Sequence, residues 1–69
     1  LPYKYFDALP EQDKVRYIEK KIEKSHFLSE ELWNWMSTDM KLRYIKGRIE
    51  QGYEIDAQKM DFYNRHKND

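Results

Sequence analysis

A step of 27 residues runs through this chain and limits what it can fold into: Lys14-Val15-Arg16-Tyr17-Ile18 lies over Lys41-Leu42-Arg43-Tyr44-Ile45, and Lys21-Ile22-Glu23 over Arg48-Ile49-Glu50. The same step carries Phe6 to Trp33 to Met60, Asp7 to Asn34 to Asp61, and Leu9 to Met36 to Tyr63, while Leu1-Pro2, Leu28-Ser29 and Ile55-Asp56 open the copies. Self-similarity at a period of about 20 to 50 residues marks stacked supersecondary units, each unable to bury its apolar face alone. The expected fold is therefore all-α. It is a small helical bundle of tandem short-helix/long-helix units, 1–27, 28–54 and a partial 55–69, forming one domain.

The unit reads from its apolar spacing. Glu11, Val15, Ile18 and Ile22 recur every three or four residues and give the first long helix one narrow face, and Leu42, Ile45 and Ile49 repeat that face in the second. Pro10 suits a helix start because its missing N–H would be unpaired there, and Ser37, Thr38 and Asp39 bring acceptors and negative charge to the matching start. The long helices are expected over 10–25 and 37–51, with Gly52 supplying a left-handed stop. Leu28 with Trp33, and Ile55 with Met60, match a hydrophobic staple around an N-cap at Ser29 and Asp56; Leu1 with Phe6 repeats the spacing. Leu32, Trp33, Trp35 and Met36 wrap a two-turn helix in apolar surface, which places it at the centre of the domain. The third copy carries Met60, Phe62 and Tyr63, then breaks at Asn64 into a polar end that lacks a long helix. Phe6, Val15, Ile18, Trp33, Leu42 and Ile45 form the expected core.

A chain of 69 residues buries only about 60% of its unfolded surface. Two Trp, six Tyr and three Phe, each able to bury roughly 150 to 250 Å², are its means of building a core without disulfides. There is no cysteine, which excludes disulfides and thiolate metal sites and fits a reducing compartment, the cytoplasm or a host's cytoplasm. Charged residues make up 38% of the chain and cancel to zero, against the basic bias of a typical nucleic-acid binder. No apolar run is long enough to span a membrane, and nothing has the order of a signal peptide. The start at Leu1 points to an excised domain or a processed product.

The catalytic inventory is thin. His26 and His66 lack a metal-type partner at four-residue spacing, Ser25, Ser29 and Ser37 sit where capping explains them, and two glycines cannot make a phosphate loop. No enzymatic activity and no cofactor or metal are expected. Lys14, Tyr17, Lys21 and Lys24 share a flank of the first long helix, and Lys41, Tyr44 and Arg48 reproduce it one unit later. Such a flank either packs Tyr between units beneath Lys stems or offers rings and cations to a ligand. Arg16 with Glu19, and Asp39 with Arg43, are ordinary helix-surface pairs. Trp33 belongs in the core and Trp35, two residues on, faces elsewhere as a candidate contact. The candidate binding residues are thus Lys14, Tyr17, Lys21, Trp35, Lys41, Tyr44 and Arg48, with Tyr17 and Tyr44 the leading pair because they lie far from the expected apolar face. The expected function is a non-enzymatic protein–protein interaction module of helical-repeat type, a regulatory adaptor or inhibitor whose partner is another protein. The alternative is a nucleic-acid-binding module using the repeated Lys/Tyr/Arg stripes. Self-association through open repeat ends is a third reading.

Ile45, Ile49, Gly52, Tyr53, Ile55, Asp56 and Met60 also form a local pattern, which resembles the helix-turn-helix segment of the flagellar anti-sigma factors. The resemblance implies a transcription inhibitor acting by protein contact. It covers 16 residues, Ile45 to Met60, and its shared features are a glycine helix stop and an Asp N-cap, which unrelated helical hairpins also need.

Overall fold

A computed structural model describes residues 2–67; Leu1, expected to open the first copy, and Asn68 and Asp69 of the expected polar end lie outside the described residues. The chain is all-helical: α1 (Tyr3–Asp7), α2 (Glu11–Glu23), α3 (Glu30–Trp35), α4 (Thr38–Glu50) and α5 (Ala57–His66). The long helices α2 and α4 pack on each other, and α4 packs on α5.

Helix starts follow the 27-residue step, with N-caps at Pro2, Ser29 and Asp56 and at Pro10 and Ser37. Local chemistry explains each start. Ser29, Ser37 and Asp56 accept through their side chains from the amides of Leu32, Met40 and Lys59, at 3.4, 3.2 and 2.9 Å; Pro10 lends only its carbonyl, to Asp13 and Lys14. The stops also match. Ser25 and Gly52 both take left-handed φ, 56° and 85°. After α2, His26 donates to the Lys21 carbonyl and Ser25 to Ile22; after α4, Tyr53 donates to Arg48 and Gly52 to Ile49, each at 3.0 Å. These are Schellman closures, which satisfy carbonyls that the helix leaves without partners.

The core gathers Phe6, Ile18, Ile22, Leu28, Leu32, Trp33, Met36, Met40, Tyr44 and Ile45. Short helix α3 gives Leu32 and Trp33 to this core, and Met36 follows them, all three buried. Two expected core members fall elsewhere: Val15 is exposed at 37% and Leu42 only half-buried. On α4 the buried residues are Met40, Tyr44 and Ile45, so at 100° per residue the packed face is turned by roughly 120° from the Leu42-Ile45-Ile49 stripe. The cause is tertiary. α4 has partners in both α2 and α5, and Trp33 and Tyr44 meet at 6.1 Å between ring centroids, which draws the tyrosine inward. Matched positions diverge accordingly: Ile22 is 8% exposed and Ile49 40%.

α5 continues through the expected break at Asn64 to His66. Arg65 pairs with Asp61 one turn earlier at 3.0 Å, and the Phe62 and His66 rings approach to 4.5 Å; such i, i+4 contacts offset the low helix propensity of Asn64. The Arg16–Glu19 pair does not form. Arg16 turns to Asp13 at 3.5 Å, and Glu19 crosses to α4, where both its oxygens accept from Arg43 at 2.7 and 2.6 Å while Asp39 takes the Arg43 Nε at 3.0 Å. The Arg43 hydrogen bonds hold the Glu19 carboxyl below its ordinary pKa, and the same bonds push the guanidinium's further up.

Candidate functional site

The seven sequence-derived candidates separate into three places and a core residue. Tyr44 is the core residue: it is 3% exposed, and its hydroxyl accepts the Leu28 backbone N–H at 3.2 Å across 16 residues of sequence. It corrects the expectation of a ligand-facing tyrosine, and the repeated Lys41-Tyr44-Arg48 stripe is not one surface. Lys41 lies 5.1 Å from the Trp33 ring centroid and 5.2 Å from that of Phe62, and Lys59 sits over Trp33 at 5.0 Å. Their aliphatic stems cover the core edge while the ammonium groups meet ring faces. Lys59 also bonds Glu30 and Asp56, each at 3.0 Å, tying α5 to α3. Burial alone would lower the Lys59 pKa, but these two hydrogen bonds outweigh it and raise it. The Lys59 backbone N–H, then its ammonium, hold Asp56 below the usual carboxylate value.

On the α2 side, the Lys14 side chain is 14% exposed and held near Asp7 and Glu11, at 3.8 and 4.0 Å. It is a tether for α1 rather than a free cation. Tyr17 is half-buried, its ring 5.6 Å from Phe6, and Lys21 lies over its face at 5.4 Å. Trp35 is half-buried and meets Phe6 edge-on at 5.3 Å, so it closes the outside of the core.

The third place was not assembled by sequence reading. Arg48 reaches back from α4 to donate to the Ser25 carbonyl at 2.8 Å, which sets its guanidinium 4.1 Å from the Tyr53 ring centroid and 5.9 Å from that of Phe27. Phe27 is 74% exposed and Tyr53 52%. The two aromatics come from the loops after α2 and after α4, each just past a left-handed turn, at Ser25 and at Gly52. The sequence signal for Phe27 is that it is a large apolar residue outside every helical face of the pattern.

Cavities among the described residues are small. A cleft of about 50 Å³ lies under Phe27 and Arg48, and depressions of about 170 and 280 Å³ flank Tyr17 and Lys20. Pockets for small organic ligands start at about 300 Å³ and are enclosed, so these surfaces suit macromolecular contact better. Among the described residues, no three His, Asp or Glu side chains converge as a metal site, and no helix is long and apolar enough to cross a membrane. No protein-family model, curated protein or solved structure matches the chain.

Proposed function

We propose that this chain is a non-enzymatic protein-binding module, a regulatory adaptor or inhibitor, whose contact surface centres on Phe27, Arg48 and Tyr53. One observation carries the reading: a phenylalanine 74% exposed beside a stacked Arg–Tyr pair. Leaving a large apolar ring in water forgoes roughly 1.5 to 3 kcal/mol of burial, which cover by a partner would recover. Aromatic residues and arginine are the types that dominate the energetic centres of protein interfaces. Arg48 is already fixed by the Ser25 carbonyl and the two rings, so a partner would order little that is not ordered. The shared 27-residue step of helix starts and stops supports the finer architecture we assign, tandem units 1–27 and 28–54 followed by a partial unit 55–69.

A photo-crosslinking amino acid placed at Phe27 or Tyr53, in cells that produce the protein, tests the surface. Discrete crosslinked products are expected from both positions and not from Gln12, an exposed residue at the start of α2. Phe27→Ala should abolish the Tyr53 product while leaving the thermal melt unchanged. Equal labelling from all three positions, or from none, refutes the assignment.

A further inference from the structure

A second surface, separate from the Phe27 patch, carries unpaired positive charge. Among the described residues, the cations of α2 divide sharply. Lys14 and Arg16 are spent on Asp7, Glu11 and Asp13, whereas Lys20, Lys21 and Lys24 have no carboxylate within ion-pair distance. These three lysines, with Tyr17 and His26, line a depression of about 170 Å³. A second depression, about 280 Å³, shares Tyr17 and Lys20 and is otherwise bordered by Leu9, Asp13 and Arg16. The two depressions have Tyr17 and Lys20 in common and together mark a track along α2, with the half-buried Tyr17 ring in the lining of both. From Arg16 to Lys24 the helix rises about 12 Å at 1.5 Å per residue.

We propose that this track binds single-stranded nucleic acid without sequence preference. Lys20, Lys21 and Lys24 would neutralise successive phosphates, and Lys21, in turning from the Tyr17 ring to a phosphate, would free that face for an unstacked base. The observations favour this polyanion over an acidic peptide on two grounds. Lysine is a mobile point charge without the fork that grips carboxylates in pairs, and an aromatic face among cations is the arrangement that holds single strands by stacking. A duplex keeps its bases stacked and would leave Tyr17 without a role. The track differs from the repeated stripes expected from sequence, since Tyr44, the counterpart of Tyr17, is enclosed in the core. Its failure would leave the Phe27 surface untouched.

Fluorescence anisotropy of the full chain with a labelled oligothymidine tests the proposal. With about 0.7 in the log–log salt slope per phosphate on a single strand, three lysine contacts predict an affinity loss of about 20-fold between 50 and 200 mM salt. The K20Q/K21Q/K24Q variant should bind at least about tenfold more weakly at 50 mM salt with a flatter salt response. A control with the same change of net charge, K4Q/K46Q/K67Q, should bind as the unaltered chain does. Tyr17→Leu should weaken binding while leaving the salt slope in place, and circular dichroism melts of all variants verify that each is folded. Absence of binding at 50 mM salt, equal losses in the two triple variants, tighter binding to a duplex of the same sequence, or competition by polyglutamate as effective as that by unlabelled oligothymidine would each overturn it.

Discussion

Replacing Tyr44 by Phe removes one oxygen atom and should measurably weaken the fold. The Tyr44 hydroxyl is the acceptor for the Leu28 N–H at 3.2 Å, between a side chain 3% exposed and a residue 2% exposed. Leu28 precedes the N-cap of α3, so no helical carbonyl is in position to replace that acceptor. Leaving a buried amide unpaired costs about 1 to 3 kcal/mol. A domain of this length has roughly 3 to 10 kcal/mol of total stability, at about 0.05 to 0.15 per residue, so the loss is a sizeable share. At about 4 to 8 °C per kcal/mol for domains of 60 to 100 residues, Tyr44→Phe should lower Tm by at least about 4 °C. Urea melts should shift in midpoint without a change in slope, because the exposed surface is the same. Tyr17→Phe is the matched control, since among the described residues no hydrogen bond ties the Tyr17 hydroxyl, and should stay within about 0.5 kcal/mol of the unaltered chain. Amide exchange reports the cause directly: the Leu28 N–H should lose protection in Tyr44→Phe. A Tm within about 1 °C of the unaltered protein, or equal losses at positions 17 and 44, would refute the argument that the matched tyrosines occupy different environments.

The two helix stops predict opposite responses to exchange of residue type. Ser25→Gly should stabilise by about 0.5 to 1 kcal/mol, because serine at φ 56° carries the left-handed penalty of about 1 to 2 kcal/mol, partly offset by the extra freedom of glycine when unfolded. Gly52→Ala should destabilise by about 1 kcal/mol, and for backbone reasons alone, since among the described residues no atom beyond its chain neighbours lies within 4 Å of an added Cβ; denaturant melts read both. Acid should weaken the fold through Glu19 and Asp56, whose pKa values are lowered by folding from ordinary values near 4.5 and 3.8. A lowered carboxyl pKa contributes stability above its unfolded value and loses it as pH falls through the folded one, so urea midpoints should hold from pH 7 to about 5 and drop below about 4.5. Arg43→Gln should flatten part of that acid limb, with a coupling to Glu19→Gln of no more than about 1 kcal/mol, because both side chains are about 40% exposed and screened.

The sequence by itself determined where α2 to α5 begin and where α4 ends. N-caps at Ser29, Ser37 and Asp56 and the glycine stop at Gly52 act on the backbone within four residues, so their chemistry is local and visible in a string of letters. The central burial of Trp33 was legible too, since a two-turn helix that is apolar on most sides can only be stable when enclosed. Which face of α4 turns inward was not legible. A helix with one partner buries its most apolar stripe, but α4 has two, and the Trp33 ring, the Tyr44–Leu28 bond and the Arg43–Glu19 bridge jointly set its rotation. That rotation moved Tyr44 from candidate ligand contact to core, left Ile49 exposed, and carried Arg48 toward Ser25, Phe27 and Tyr53. The patch on Phe27 joins residues 21 and 26 positions apart, with no periodicity linking them, because only the packing of α2 against α4 brings the two loop ends together.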